Sequence, residues 1–298
     1  MDGTCKLCGR IGNIRESHIV PSFAYNWLKK SSVTGHMRHG EAVNKRVQDG
    51  EKAYLLCEDC EQRLSVWEKT FAEKVFTPVN NGVPLASYGP WLLKFSTSVA
   101  WRVLITLKHE EHLKHFSPEL LLCADKALIA WKDFLLDKRP HPGPYEQHIL
   151  PFPGLVATRS DPDMPSNFNR YISRSVDIDA FSFGDQEACT YVKMSGILLL
   201  GFISLVHPSR WRDTKIHVRQ GTLQKQHYRV PDQVSSFLYY KARRQQSREQ
   251  ELSDRQLSKI HEDYQKNAEK FPGSNMFRAI DQDYALFGRA AFTEKKDR

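Results

Sequence analysis

Cys5-Lys6-Leu7-Cys8-Gly9 and Leu55-Leu56-Cys57-Glu58-Asp59-Cys60 decide how the N-terminal part of this chain folds. Each Cys-x-x-Cys pair makes a tight turn, and two such turns can surround one zinc ion tetrahedrally once the intervening chain brings them together. Gly9 follows the second cysteine, where backbone freedom lets amide groups turn back toward the sulfurs. Of six cysteines, four stand in these pairs, which suits a reducing compartment better than a disulfide framework. Cys123 and Cys189 lie in apolar surroundings and read as small buried hydrophobes.

Outward from the knuckles, residues 14–20 read as a short strand with Ile14, Glu16 and His18 on one face. Pro21 ends it, and Phe23, Tyr25, Trp27 and Leu28 form an aromatic segment expected to pack against the knuckles. Residues 31–53 are polar and read as a loop or loose hairpin. Residues 53–56 form a strand leading into the second knuckle. Beyond it Leu64, Trp67, Phe71 and Val75 recur at helical spacing, so the last zinc cysteine falls in a helix's first turn. Knuckle, short hairpin, then a helix supplying the second cysteine pair is the order of a treble-clef zinc finger.

This arrangement, Cys-x-x-Cys-Gly, then His18-Ile19-Val20-Pro21, then Leu-Leu-Cys-x-x-Cys opening a helix, resembles the zinc-bearing branch of the HNH endonuclease superfamily. The resemblance covers residues 1–78. It implies a ββα-metal core with structural Zn2+ on Cys5, Cys8, Cys57 and Cys60, and one catalytic Mg2+ or Mn2+. It also implies that His18 acts as general base on a water attacking phosphorus while the cation polarises the scissile phosphate. Before that histidine the family commonly has Asp, Glu or His, and this chain has Ser17. After the last cysteine it commonly has a metal-binding His, and this chain has Glu61. Carboxylates are hard ligands suited to magnesium or manganese, so Glu61, Glu16 and Glu68 are the candidates for the cation. Asn44 is the nearest candidate for the family's orienting asparagine. The implied partner is nucleic acid, DNA ahead of RNA. The alternative is a non-catalytic zinc-stabilised module that binds nucleic acid or another protein.

The remaining residues, 79–298, are expected to form a helical domain with a small β-sheet, making the whole α+β. The turn at 80–84 marks the boundary. Helices are expected over 90–108 and from Ser117-Pro118, the latter with serine as N-cap and proline at the first position. His109, His112 and His115 lie in the charged connector between them and read as solvated. Strands are expected near 148–152, 171–178 and 215–219, and as a pair within 188–206 broken at Ser195-Gly196. Residues 231–271 read as two helices, with Ser253 and Gln256 forming a capping box at the second.

The net charge of +8 is concentrated at residues 207–298, which carry 19 basic and 12 acidic residues. Arg243, Arg244, Arg248 and Arg255 are interleaved there with Gln and Glu. By charge alone this is a solvated helical surface, and with a nuclease module it would hold the phosphate backbone. The longest apolar run, 196–206, is too short for a bilayer, so no membrane span is expected. The start Met-Asp-Gly-Thr-Cys lacks the pattern of a secretory signal, and a cytoplasmic location is expected.

Overall fold

The computed structural model describes residues 2–83, 87–152, 161–223 and 228–292. Strand β1 (Asp2–Thr4) enters the first knuckle and β2 (Ile11–His18) leaves it, antiparallel to β1. Gly9 takes φ +80° there, and its amide donates to the Cys5 carbonyl at 2.9 Å. Helix α1 (Ser22–Lys30) follows Pro21, and β3 (Met37–Arg38) with β4 (Arg46–Val47) makes the loose hairpin of the polar stretch. Strand β5 (Lys52–Cys57) pairs with β2 to complete a sheet of order β1-β2-β5. It runs directly into α2 (Glu58–Phe71), whose first turn holds Cys60. Glu58, Asp59 and Glu61 in that turn complement the positive end of the helix dipole. After a π-helical turn over Ala72–Phe76, the helix continues as α3 (Thr77–Asn80). The expected boundary turn follows at 80–82, and Pro84 lies outside the described residues.

The face expected for Ile14, Glu16 and His18 needs correction. Opposite Arg15 and Glu16, β5 carries one extra residue, Leu55, and this bulge breaks the alternation of the pair. Ile14 and Ser17 are both buried as a result, and Glu16 and His18 lie on the outer side without Ile14. The aromatic segment joins the core, but its ring contacts fall on the helix beyond the second knuckle and not on the knuckles themselves: Phe23 meets Phe76 edge-on at 4.9 Å, and Trp27 meets Phe76 at 5.8 Å. Gly50 passes so close to Tyr25 that a Cβ there would fall 2.0 Å from the ring.

Strand β6 (Ser87–Tyr88) precedes α4 (Trp91–His109) and α5 (Pro118–Leu135), which pack together. Ser117 caps α5 by accepting the Leu120 amide at 3.3 Å, with Pro118 at the first position. Next come β7 (Gln147–Pro151), α6 (Phe168–Arg174), β8 (Val176–Phe183), β9 (Glu187–Met194) and β10 (Ile197–Ser204), which build an antiparallel sheet of order β7-β10-β9-β8. Ser195 and Gly196, at φ +38° and +84°, make the tight turn between β9 and β10.

Two expected strands come out differently. Residues 171–174 finish α6, because the buried Lys193 ammonium donates to the carbonyls of Tyr171 and Ser175 at 2.7 and 2.8 Å and satisfies that helix end. Burial pulls Lys193 down to about 7. Residues 215–219 contribute one bridge, His148 to Lys215, and the chain pairs instead through β11 (Gly221–Thr222) with β6. His148 holds this crossing through Thr214 at 2.8 Å and Glu146 at 3.2 Å.

Helices α7 (Asp232–Glu249) and α8 (Asp254–Gln265) match the two expected. The capping box does not form. Gln256 accepts from Arg38 at 3.0 Å, and Asn44 Oδ1 takes the Ser253 amide at 2.9 Å in its place. Helix α9 (Asn275–Phe287), unread in the sequence, is capped by Ser274, and its buried Asp283 accepts the Asn169 amide at 2.8 Å and the Arg170 guanidinium at 2.9 Å. Among the described residues no helix is long and apolar enough to cross a membrane.

Strand alternation explains the core. Ile197, Leu199 and Ile203 of β10 belong to a cluster that runs from Cys5 and Leu7 through α2, α4 and α5. Leu198, Leu200 and Phe202 join a second cluster with α6, α7 and Trp211 on the opposite face. The sheet is therefore covered on both sides, which is why β10 is apolar at both parities. Helix α4 is buried along most of its length because it is wedged between the cysteine module and this sheet. Gly201 permits that approach, since a Cβ there would fall 2.6 Å from Ala100 and 2.7 Å from Thr190 Oγ1. Gly201→Ala is expected to cost about 1–3 kcal/mol, read as a lower urea midpoint. An unchanged midpoint would show that α4 and β10 do not meet this closely.

Candidate metal centre

The two knuckles bring the sulfurs of Cys5, Cys8, Cys57 and Cys60 within 4.8 Å of one another. Zinc–sulfur bonds of about 2.3 Å set a tetrahedron edge of about 3.8 Å. The Cys8 and Cys57 sulfurs lie 3.7 Å apart. None of the four is in a disulfide. Four soft donors at these separations could hold a metal such as zinc.

Electrostatics points the same way. Burial acts to raise the Cys8 thiol, but the backbone and guanidinium of Arg10, with the neighbouring thiols, bring it down to about 6. Cys57 and Cys60 are pushed up, first by burial, with neighbouring thiols adding to it at Cys60. Four clustered thiols cannot all ionise without a cation, and a bound dication would reverse that balance. Arg10 also pairs with Asp59, which ties the rim of the first knuckle to α2.

His18 ends β2 on the outer side of the same sheet. Its Nε2 lies 2.8 Å from Asp49 Oδ1. Asp49 is in turn paired with Lys52 at 2.7 Å and accepts the Gly50 amide at 2.9 Å. Burial opposes its charge, but Lys52, His18 and the Gly50 amide outweigh it and hold the carboxyl at about 2. The His18 carbonyl accepts from Arg102 of α4 at 2.8 Å, so the strand end is anchored from below. Asp49 lies in the polar stretch that reads as a loop or loose hairpin, where no local pattern marks it as the partner of His18.

The other proposed ligands are scattered. Glu68 pairs with Arg102 at 2.7 Å. Asn44 donates to the Glu251 carbonyl at 3.0 Å while its oxygen caps α8, so both ends of its amide are engaged away from His18. The bulge turns Ser17 into the core. Glu16 is exposed and its charge acts on Lys52. Glu61 has one buried oxygen, Oε1, with no hydrogen-bond partner. Among the described residues the four cysteines are the one group of three or more metal-ligating side chains gathered this closely; His18, Glu16, Glu61 and Glu68 make no second one. His109, His112 and His115 make none either.

No protein-family model, curated protein or solved structure matches this chain.

Proposed function

We propose that this chain is a zinc-stabilised, metal-dependent nuclease of the HNH type, its N-terminal module a treble clef with zinc on Cys5, Cys8, Cys57 and Cys60. The observation that carries this reading is the His18–Asp49 pair at 2.8 Å, at the end of the first strand of a strand–strand–helix unit closed at its base by the four cysteines. Asp49 engages Nε2, which leaves Nδ1 to take a proton from water, and the carboxylate would stabilise the imidazolium that results. A magnesium or manganese ion would supply polarisation of the scissile phosphate. Glu61, with its unpartnered oxygen, and Glu16 are the carboxylates left to hold it, since Glu68 is held by Arg102.

Incubation with plasmid DNA and with RNA, in magnesium or manganese, tests this. His18→Ala is expected to lower cleavage at least about a hundredfold and Asp49→Asn at least about tenfold. Equal rates for wild type and His18→Ala would remove His18 from the chemistry.

The second reading is a zinc module that binds nucleic acid without cutting it. Glu68 and Asn44, both committed to structural partners, favour it. It prevails if no substrate is cut in either metal while DNA is still retarded in a gel.

A further inference from the structure

The segment between β2 and β5 is tied to α7 and α8 by a row of polar contacts. Arg38 donates to Gln256 at 3.0 Å, Arg46 to Asp263 at 2.8 Å, and Asn44 spans Glu251 and Ser253. At one end of the row sits Glu41. Arg248 holds it in a fork, Nη1 donating to Oε1 at 2.6 Å and Nη2 donating to Oε2. Arg244 Nη2 donates to both oxygens at 3.0 and 3.2 Å. The Gly40 carbonyl takes a further bond from Arg248 at 2.6 Å.

Two guanidiniums converging on a pair of oxygens is the geometry by which arginine recognises phosphate as well as carboxylate. The non-bridging oxygens of a phosphodiester present the same pair of acceptors. The grip opens to solvent on the side of Glu41, whose side chain is 61% exposed, with Arg244 at 38% and Arg248 at 20% beneath it. Exposed ion pairs contribute little net stability, so an incoming polyanion can compete for the arginines. Both arginines belong to residues 207–298, the part of the chain that carries most of its positive excess.

We infer that Arg244 and Arg248 form a site for a backbone phosphate of nucleic acid, and that Glu41 occupies this site from within the chain until nucleic acid displaces it. The inference rests on nucleic acid being the partner and is independent of cleavage. Displacement would release the segment that ends at Asp49, so binding on α7 is linked to the partner of His18.

The test measures binding of a short labelled DNA duplex and of a single-stranded RNA in the His18→Ala background, without added magnesium or manganese. Glu41→Gln keeps the shape and removes the competing charge. It is expected to tighten binding of at least one of the two about five- to tenfold at low salt. Replacing Arg244 and Arg248 by alanine should reduce the slope of log K against log salt by about 1, the one phosphate that the pair would neutralise. Unchanged or weaker binding by Glu41→Gln on both probes overturns the site. If the unaltered protein cuts no substrate in magnesium or manganese while the Glu41→Gln gain is seen, the nuclease reading alone fails, and cleavage by the unaltered protein without that gain would sink this one alone. As a second readout on unaltered protein, amides of residues 36–48 should exchange faster when nucleic acid is bound, and unchanged exchange counts against displacement.

Discussion

Stripping the metal from the four cysteines, or replacing Cys60 by serine, is expected to unfold the N-terminal module and destabilise the helical core in one transition. A structural zinc contributes about 10–16 kcal/mol of apparent binding free energy at neutral pH, comparable with the whole stability of an ordinary domain of about 5–15 kcal/mol. Cys60 is only 3% exposed and packs in the cluster that continues through Leu64 and Phe71 to α4. No separate core lies beneath the knuckles to survive their loss. The pH dependence has a definite sign. Without metal, Cys57 and Cys60 are raised and keep their protons, so metal binding must expel protons. Stability from the site is present at neutral pH and is lost as pH falls and protons compete for the thiolates. Metal analysis should give about one zinc per chain, and a chelator should lower the thermal midpoint sharply. A metal content well below one, or a midpoint indifferent to chelation, would contradict the four-thiolate site.

Arg102→Ala is expected to cost about 3–5 kcal/mol. Its side chain, 2% exposed, bridges Glu68 at 2.7 Å, the His18 carbonyl at 2.8 Å and the Ser98 carbonyl at 3.3 Å. Truncation strands the Glu68 charge in a half-buried position and leaves the end of β2 without its anchor. Adding Glu68→Gln to Arg102→Ala should recover part of the loss, because the orphaned charge goes with it. Urea unfolding of the single and double variants checks both statements. A loss under about 1 kcal/mol for the single variant would mean that the guanidinium is replaced by water there.

The sequence was informative where the signal is local. Turn glycines, the Ser117-Pro118 helix start, the Ser195-Gly196 turn and the helical spacing from Leu64 to Phe71 are each signals of a few neighbouring residues, and each element formed where its own residues place it. Residues 171–174 carry an aromatic and β-branched pattern that suits a strand, and the helix end is favoured by groups that tertiary structure brings to it, Lys193 from β9 and the Gly196 amide from the turn after it. Helix α9 went unread although Ser274 caps it.

For the candidate site the division is sharper. Cysteine spacing by itself determined the four-cysteine cluster, because each pair is a tight turn and four thiols at that spacing suit one metal ion. Which side chains surround His18 was decided by tertiary structure alone. One bulge buries Ser17, the return of the chain into β5 delivers Asp49, and α4 and α8 take up Glu68 and Asn44. These partners come from chain segments whose approach depends on how α4 wedges between module and sheet, and no local pattern encodes that packing.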